Sequence, residues 1–352
     1  MEPKVLKLNN DIAIGHGKKT FIIAEVGQNH QGSVEIAKEL INVAKNCGVD
    51  CVKFQKTCLT DKFNKLALQK PYVSVNSWGT TYGEHKAYLE FTDEEFLELQ
   101  SYAARLGLIF TASAMDSTSL HFLAKIGVPF IKIGSGDANN FILLEEAAQL
   151  NIPLVISTGM QDLETVQHIY KLVSKYHKNF ALLHCLSSYP CPYEEINLNV
   201  LNLYRTTFND INIGYSGHEL GTHITVASVA MGARIVERHI TLNKNQKGSD
   251  HKCSLEPEEL SELVRNIRIL ELALGQPIKK LQKSEEDCYE KLGKTIVSRK
   301  CLNVGHKLKR SDLVIKVAQP KGIDGSQLDK IVNKCLGRSV SEDESILPEY
   351  LI

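Results

Sequence analysis

The sequence carries no excess charge of either sign, since Lys+Arg and Asp+Glu both number 41. That balance excludes a global basic field for a nucleic acid backbone and a solvating acidic tail, so any anion must be met by a local site. No apolar run reaches the roughly 18 uncharged residues that a membrane span needs. The N-terminal MEPKVLKLNN also lacks the apolar core of a secretory signal. Both absences predict a soluble chain with no membrane partner. No Cys-x-x-Cys pair is present, and the nine cysteines scatter from Cys47 to Cys335. An odd, unpatterned set argues against a disulfide framework or a zinc ribbon and for a reducing, cytoplasmic location.

What is present is an alternation of strand and helix patterns. Short apolar, β-branched runs recur as FIIAEVG at 21, CVKFQ at 51, LIFTAS at 108 and FIKIGS at 130, then PLVIST at 153, FALLHC at 180, NIGYS at 212 and RIVERH at 234. Between them lie segments of helical period such as SVEIAKELINVAKNCG and TDEEFLELQSYAARLG, most ending in Gly or a turn. Near-continuous apolar strands joined by amphipathic helices indicate a parallel sheet, and eight repeats close into a (β/α)₈ TIM barrel of the α/β class. An open, doubly wound sheet is the alternative fold. After PEELSELVRNIRILELALG the pattern changes to short strands with Gly, Asn and Asp turns. The boundary is expected between Lys283 and Lys291, giving a catalytic domain over 1–285 and a small β-rich domain over 286–352.

Active sites of such barrels sit at the carboxyl ends of the strands, so the polar residues ending each run are diagnostic. They are Glu25 with Asn29 and His30, Lys53 with Gln55, Ser113, Lys132 with Ser135, Ser157 with Thr158, Ser187 with Ser188, Ser216 with His218, and Glu237 with His239. Glycines in GSGD (134–137), STG (157–159) and YSGH (215–218) let backbone amides approach an anion. With Lys53 and Lys132 in the same ring, a phosphate or carboxylate ligand is the economical reading, although each lysine could instead pair structurally with a carboxylate. His218 and His239 end neighbouring strands and could bind one metal with positions left open for substrate. Glu25 could act as a general acid or base there, or be held in a salt bridge to Lys53 or Lys132. The string HELGTH at 218–223 is not a zinc protease motif: its histidines are five apart rather than four, and Gly221 weakens the helix.

The stretch from Thr57 to Phe91 far exceeds a usual βα loop of about 2–6 residues. It carries Lys62, Lys65, Lys70, His85 and Lys86. A phosphate on a substrate would explain that charge, and a solvated surface loop is the alternative.

These motifs resemble the sialic acid synthases, especially the animal branch that uses a phosphorylated sugar. FIIAEVGQNHQGS, VKFQK, SWGTTYGEHK, FIKIGSGDANNF, VISTGMQ, IGYSGHELG, ERHITL and KGSDHKCSLEPEEL carry the resemblance, and from KLGK onward the chain resembles the family's antifreeze-like (SAF) module. The resemblance implies condensation of phosphoenolpyruvate with N-acetylmannosamine 6-phosphate to N-acetylneuraminate 9-phosphate and inorganic phosphate. The bacterial-type reaction on unphosphorylated N-acetylmannosamine is the alternative. It further implies a divalent metal, manganese or magnesium, on His218 and His239, with Glu25 as acid/base. Lys53, Ser113, Lys132, Ser157 and Ser216 match phosphoenolpyruvate contacts; Gln55, Tyr189 and Asp250 match positions facing the sugar. A domain-swapped homodimer is implied, the SAF module of one subunit capping the other's site. Two features depart from the bacterial pattern and are shared with the animal branch: Ser187 stands where an Asn is usual, and the SAF arginine is replaced near Gln319. A Schiff-base lyase using Lys53 or Lys132, and a non-catalytic scaffold, are the rival readings.

Overall fold

The computed structural model describes residues 5–8 and 12–352; residues 1–4 and 9–11, which hold part of the N-terminal stretch read above for a secretory signal, lie outside the described residues. A short antiparallel pair, β1 (Leu6–Lys7) and β2 (Ala13–Ile14), precedes eight parallel strands. These are β3 (Phe21–Gly27), β4 (Cys51–Lys56), β5 (Ile109–Ala114), β6 (Ile131–Ile133), β7 (Leu154–Ser157), β8 (Phe180–Cys185), β9 (Asn212–Gly217) and β10 (Ile235–His239). They pair in chain order, and β10 closes on β3 with His239 beside Glu25. The result is a (β/α)₈ barrel, which excludes the open sheet.

The helices are α1 (Val34–Cys47), then α2 (Leu59–Lys62), α3 (Lys65–Gln69) and α4 (Tyr82–Leu89) within the long insertion, and α5 (Asp93–Arg105). They continue with α6 (Ser117–Lys125), α7 (Phe141–Gln149), α8 (Leu163–Ser174), α9 (Val200–Thr207), α10 (His223–Ala230) and α11 (Pro257–Leu274). Local chemistry sets their ends. Ser33 caps the amide of Ile36 at the start of α1, and Gly48 closes it at φ 81°. Thr81 with Glu84 and Thr92 with Glu95 form capping boxes for α4 and α5.

Strand alternation makes two separate cores. Ile22, Ala24 and Val26 of β3 and Val52 and Phe54 of β4 join the layer packed under the helices. Phe21, Ile23, Cys51, Phe130, Val155, Ala181, Leu183 and Ile235 fill the inside of the barrel at its amino end, stoppered by Leu6, Leu8 and Ile14. Phe21 and Phe130 meet edge to face, ring centroids 6.0 Å apart. Both faces of each strand are therefore buried, which is why the runs read as continuously apolar until their last residues.

Contacts divide the chain into Met1–Gly275 and Gln276–Ile352, so the division falls ahead of the 285/286 boundary expected from pattern alone. In the second unit, α12 (Glu286–Leu292) precedes β11 (Thr295–Ser298), which pairs antiparallel with β12 (Leu313–Lys316), and α13 (Leu328–Ile331) follows. Isolated bridges such as Leu302–Val340 and Val297–Ser345 add the remaining sheet-like pairing. Ile296, Leu302, Leu308, Leu313, Ile323, Leu336 and Ile346 form its core. Asp312, its side chain 2 % exposed, accepts from the Lys309 amide (3.0 Å) and His306 Nε2 (2.8 Å) and pairs with Lys300 Nζ at 2.9 Å. Burial opposes its ionisation, but these donors outweigh it and hold the carboxyl below its ordinary value.

Two stability effects follow. Phe130→Ala empties the barrel's amino-end core and should cost about 3–5 kcal/mol, read as a lowered urea midpoint of the full chain. Asp312→Asn should also lower that midpoint at pH 7. Because the folded carboxyl titrates below the unfolded one, its stabilisation is present above the unfolded pKa and lost as pH falls. The deficit of Asp312→Asn relative to the wild type should thus shrink below about pH 4; a pH-independent deficit would refute the charge-based account.

Candidate active site

The inward side of the barrel changes character along each strand. Two residues beyond the apolar plug the same face presents Glu25, Lys53, Lys132, Ser157, Cys185 and Glu237, and Ser113, Ser216 and His239 join them in the cavity. Register brings them together: Glu25 lies beside Lys53, Ser113 beside Lys132, and Ser216 beside Glu237. They line a cavity of about 300 Å³ with Gln55, Ser135, Ser187, Tyr189 and His218.

Its floor is a chain of four buried charges. Glu25 Oε2 lies 2.6 Å from Lys53 Nζ, both side chains 2 % exposed, and Gln55 Nε2 donates to Glu25 Oε1 at 3.0 Å. Lys53 Nζ donates to Ser113 Oγ (2.9 Å), and Lys132 Nζ to Ser157 Oγ (2.7 Å) and the Ile133 carbonyl (3.1 Å). Glu237 Oε1 stands 3.8 Å from Lys53 Nζ and 3.7 Å from Lys132 Nζ, and accepts from Ser216 Oγ at 3.2 Å. The ion pair considered above as a structural role for Glu25 is therefore present. The second oxygen of Glu237, Oε2, is buried without a hydrogen bond.

This arrangement drives the two carboxyls apart. Burial, reinforced by Glu237 and opposed by Lys53, raises the pKa of Glu25. Burial acts likewise on Glu237, but Lys132 and Lys53 outweigh it and lower its pKa. Glu25 is thus the easier of the two to protonate, and such divergence marks acid/base chemistry.

His218 and His239 face each other with ring centroids 5.3 Å apart. His218 Nδ1–H donates to the Leu186 carbonyl at 2.8 Å, which leaves Nε2 its lone pair. Burial, with His218 and Lys53 nearby, lowers the His239 pKa to about 3, so this imidazole is neutral. Its Nδ1 is buried without a hydrogen bond and lies 3.9 Å from Asp250 Oδ2. Tyr189 covers the pair, 4.1 Å from the His218 ring. Among the described residues no group of three His, Cys, Asp or Glu side chains converges to hold a metal.

Two glycines make room for this chemistry. A Cβ on Gly159 would sit 2.8 Å from Ser135 Oγ and 3.2 Å from Cys185 Sγ. Gly27 adopts φ +56°, and a Cβ there would crowd Glu25 Oε1 and His239 Nδ1, each at 3.3 Å.

Not every polar strand end reaches the cavity. Asn29 donates to the Ile240 carbonyl and Ser254 Oγ, tying two loops together. His30 stacks on Phe91 at 4.1 Å, and burial lowers its pKa to about 3. Thr158 bonds to the Leu183 carbonyl and Tyr204. Glu219 of HELGTH is fully buried against Arg238 at 2.8 Å. Conversely, Glu237 and Cys185 line the cavity although neither received a role from sequence; both share inward parity with a recognised neighbour, Glu237 through His239. Asp250 reaches His239 from the loop after β10, and Lys62 and Asp137 complete the rim.

The NeuB family model matches residues 40–279. The human N-acetylneuraminate-9-phosphate synthase is 50% identical over 338 residues, covering 96% of this chain and 94% of its own. The enzyme of that name from Drosophila melanogaster is 48% identical over 370 residues, covering 98% of this chain and 100% of its own. Among solved structures, the sialic acid synthetase of Leptospira borgpetersenii in complex with citrate superposes with a TM-score of 0.71 at 30% identity, covering 82% of this chain and 96% of that one. On these matches, the chain belongs to the NeuB family.

Proposed function

We propose that this chain condenses phosphoenolpyruvate with N-acetylmannosamine 6-phosphate, giving N-acetylneuraminate 9-phosphate and inorganic phosphate. The observation that carries the reading is the buried ring of Lys53, Lys132, Glu25 and Glu237 beside two imidazoles, in a chain half identical to synthases named for that product.

Lys53 and Lys132, with Ser113, Ser157 and Ser216, hold the phosphate and carboxylate of phosphoenolpyruvate, and Ser135 and Ser187 border the same anion. Gln55, Tyr189 and Asp250 face the open-chain sugar. The methylene carbon of phosphoenolpyruvate attacks the aldehyde carbon, forming the C–C bond and leaving positive charge on the phosphate-bearing carbon. Water adds there and gives up a proton to Glu25. A proton reaches the former aldehyde oxygen, and C–O cleavage of the tetrahedral intermediate expels inorganic phosphate. Holding the reactants in attack geometry contributes several kcal/mol of barrier reduction.

His218 Nε2 and His239 would hold a divalent cation, manganese or magnesium. The neutral imidazole of His239, whose buried Nδ1 has no hydrogen bond, fits that role, and substrate oxygens and water would complete the shell. When bound, the cation polarises the acceptor carbonyl. The second unit we read as the antifreeze-like SAF module, capping the partner's site in a homodimer, on its resemblance from KLGK onward. Nine free thiols support a reducing, cytoplasmic location; among the described residues no helix is long and apolar enough to cross a membrane.

Inorganic phosphate release should require the phosphorylated sugar, vanish on chelation and return with manganese; preference for free N-acetylmannosamine would point to the bacterial-type reaction. Glu25→Gln should lower kcat by about 10²–10⁴-fold with an unchanged circular dichroism spectrum. Wild-type turnover in that variant would remove Glu25 from the chemistry, and trapping of substrate on a lysine by borohydride would favour the Schiff-base reading.

A further inference from the structure

The insertion between β4 and α5 presents cations that the barrel's own chemistry does not use. Lys65 and Lys70 are exposed. His85 is buried, and burial, with Lys86 and Lys247 nearby, lowers its pKa and keeps it uncharged. Lys62 differs: it lines the cavity, its Nζ 3.3 Å from Asp137 Oδ2.

Lys86, on α4, differs again. Its Nζ donates to the neutral Gln28 Oε1 at 2.8 Å, and among the described residues no carboxylate lies within ion-pair distance of it. Burial lowers its pKa, opposed by Asp250 and reinforced by Lys62. The two ammoniums therefore share a field with each other and with Asp250, which stands 3.9 Å from His239 at the cavity mouth. This partly buried ammonium has one neutral acceptor and the face of the Tyr82 ring at 5.6 Å, which leaves it room to take an anion.

The frame that holds Lys86 is built firmly. The Thr81–Glu84 capping box starts its helix, and the Trp78 ring stacks on His85 (5.6 Å) and Tyr88 (5.5 Å). Tyr72 meets Tyr82 edge to face at 5.4 Å. Asn76 Oδ1 accepts from the Gly248 amide at 3.2 Å, tying the insertion to the loop that carries Asp250.

We propose that Lys86 and Lys62 form the subsite for the 6-phosphate of the acceptor sugar; this rests on the reading above that the acceptor is phosphorylated. Phosphate oxygens supply the acceptors that Lys86 lacks, and Lys62 shares its charge between them and Asp137.

The test compares kcat/KM for N-acetylmannosamine 6-phosphate and for N-acetylmannosamine in the manganese-supplied full-length enzyme. Lys86→Gln should lower the ratio of the two about 10- to 100-fold. Lys86→Arg should keep most of it, and Lys65→Gln with Lys70→Gln should leave it at the wild-type value. A wild-type ratio in Lys86→Gln and in the Lys62→Gln, Lys86→Gln double variant overturns the subsite while leaving the phosphorylated acceptor intact. Equal losses with both sugars overturn it too. A wild-type enzyme without preference for the phosphorylated sugar overturns the acceptor reading and the subsite with it. Should Lys86→Gln fail to fold, the ratio in Lys62→Gln decides by the same criteria.

Discussion

The Glu25–Lys53–Glu237–Lys132 chain is the constraint on which the barrel's upper half depends. Four charges are withdrawn from water in a space only two ion pairs can occupy, and removing one leaves its neighbour uncompensated, at a cost of about 3–5 kcal/mol. Each member also holds a serine or glutamine: Lys53 holds Ser113, Lys132 holds Ser157, Glu25 holds Gln55 and Glu237 holds Ser216. The orientation of the whole polar ring is thus coupled to charge neutrality, and strand register must be correct for any of it to form.

That register is secured from the other end of the same strands. Phe21, Ile23, Cys51, Phe130 and Ile235 fill the amino-end interior, so a one-residue slip would carry apolar groups into the cavity and lysines into the layer under the helices. Hydrophobic packing at one end and ion pairing at the other select the same alignment. The absence of side chains at Gly27 and Gly159 then leaves room for Glu25 and His239 and for Ser135 and Cys185.

Eight strands and most of the cavity were legible in the sequence because a buried strand that ends in a polar residue leaves few places for that residue to go. The misreadings fall one to three residues past the strand, where parity no longer governs direction: Asn29, His30 and Thr158 turn into loops and helix packing. Glu237 was under-read for the opposite reason, since a carboxylate among basic residues looks like a counter-ion until its place between two lysines is seen. In the second unit, pairing rests mostly on isolated bridges rather than long strands, which leaves no period-two pattern to read and blurs its boundary.

Charge neutrality also limits how this cavity attracts an anion. Two ammoniums facing two carboxylates give a dianionic ligand little net attraction, so under the proposed function an anion at the floor would have to exchange partners, taking Lys53 from Glu25 and the serines from the lysines. Such an exchange favours a ligand that reproduces the geometry of the displaced groups over one that merely carries charge. Net positive field has to come from outside the ring, and under the proposed function it comes from the rim, where Lys62 shares Asp137 and, among the described residues, Lys86 has no carboxylate within ion-pair distance. Under the proposed function, the barrel floor would therefore select by shape and the insertion would supply the charge.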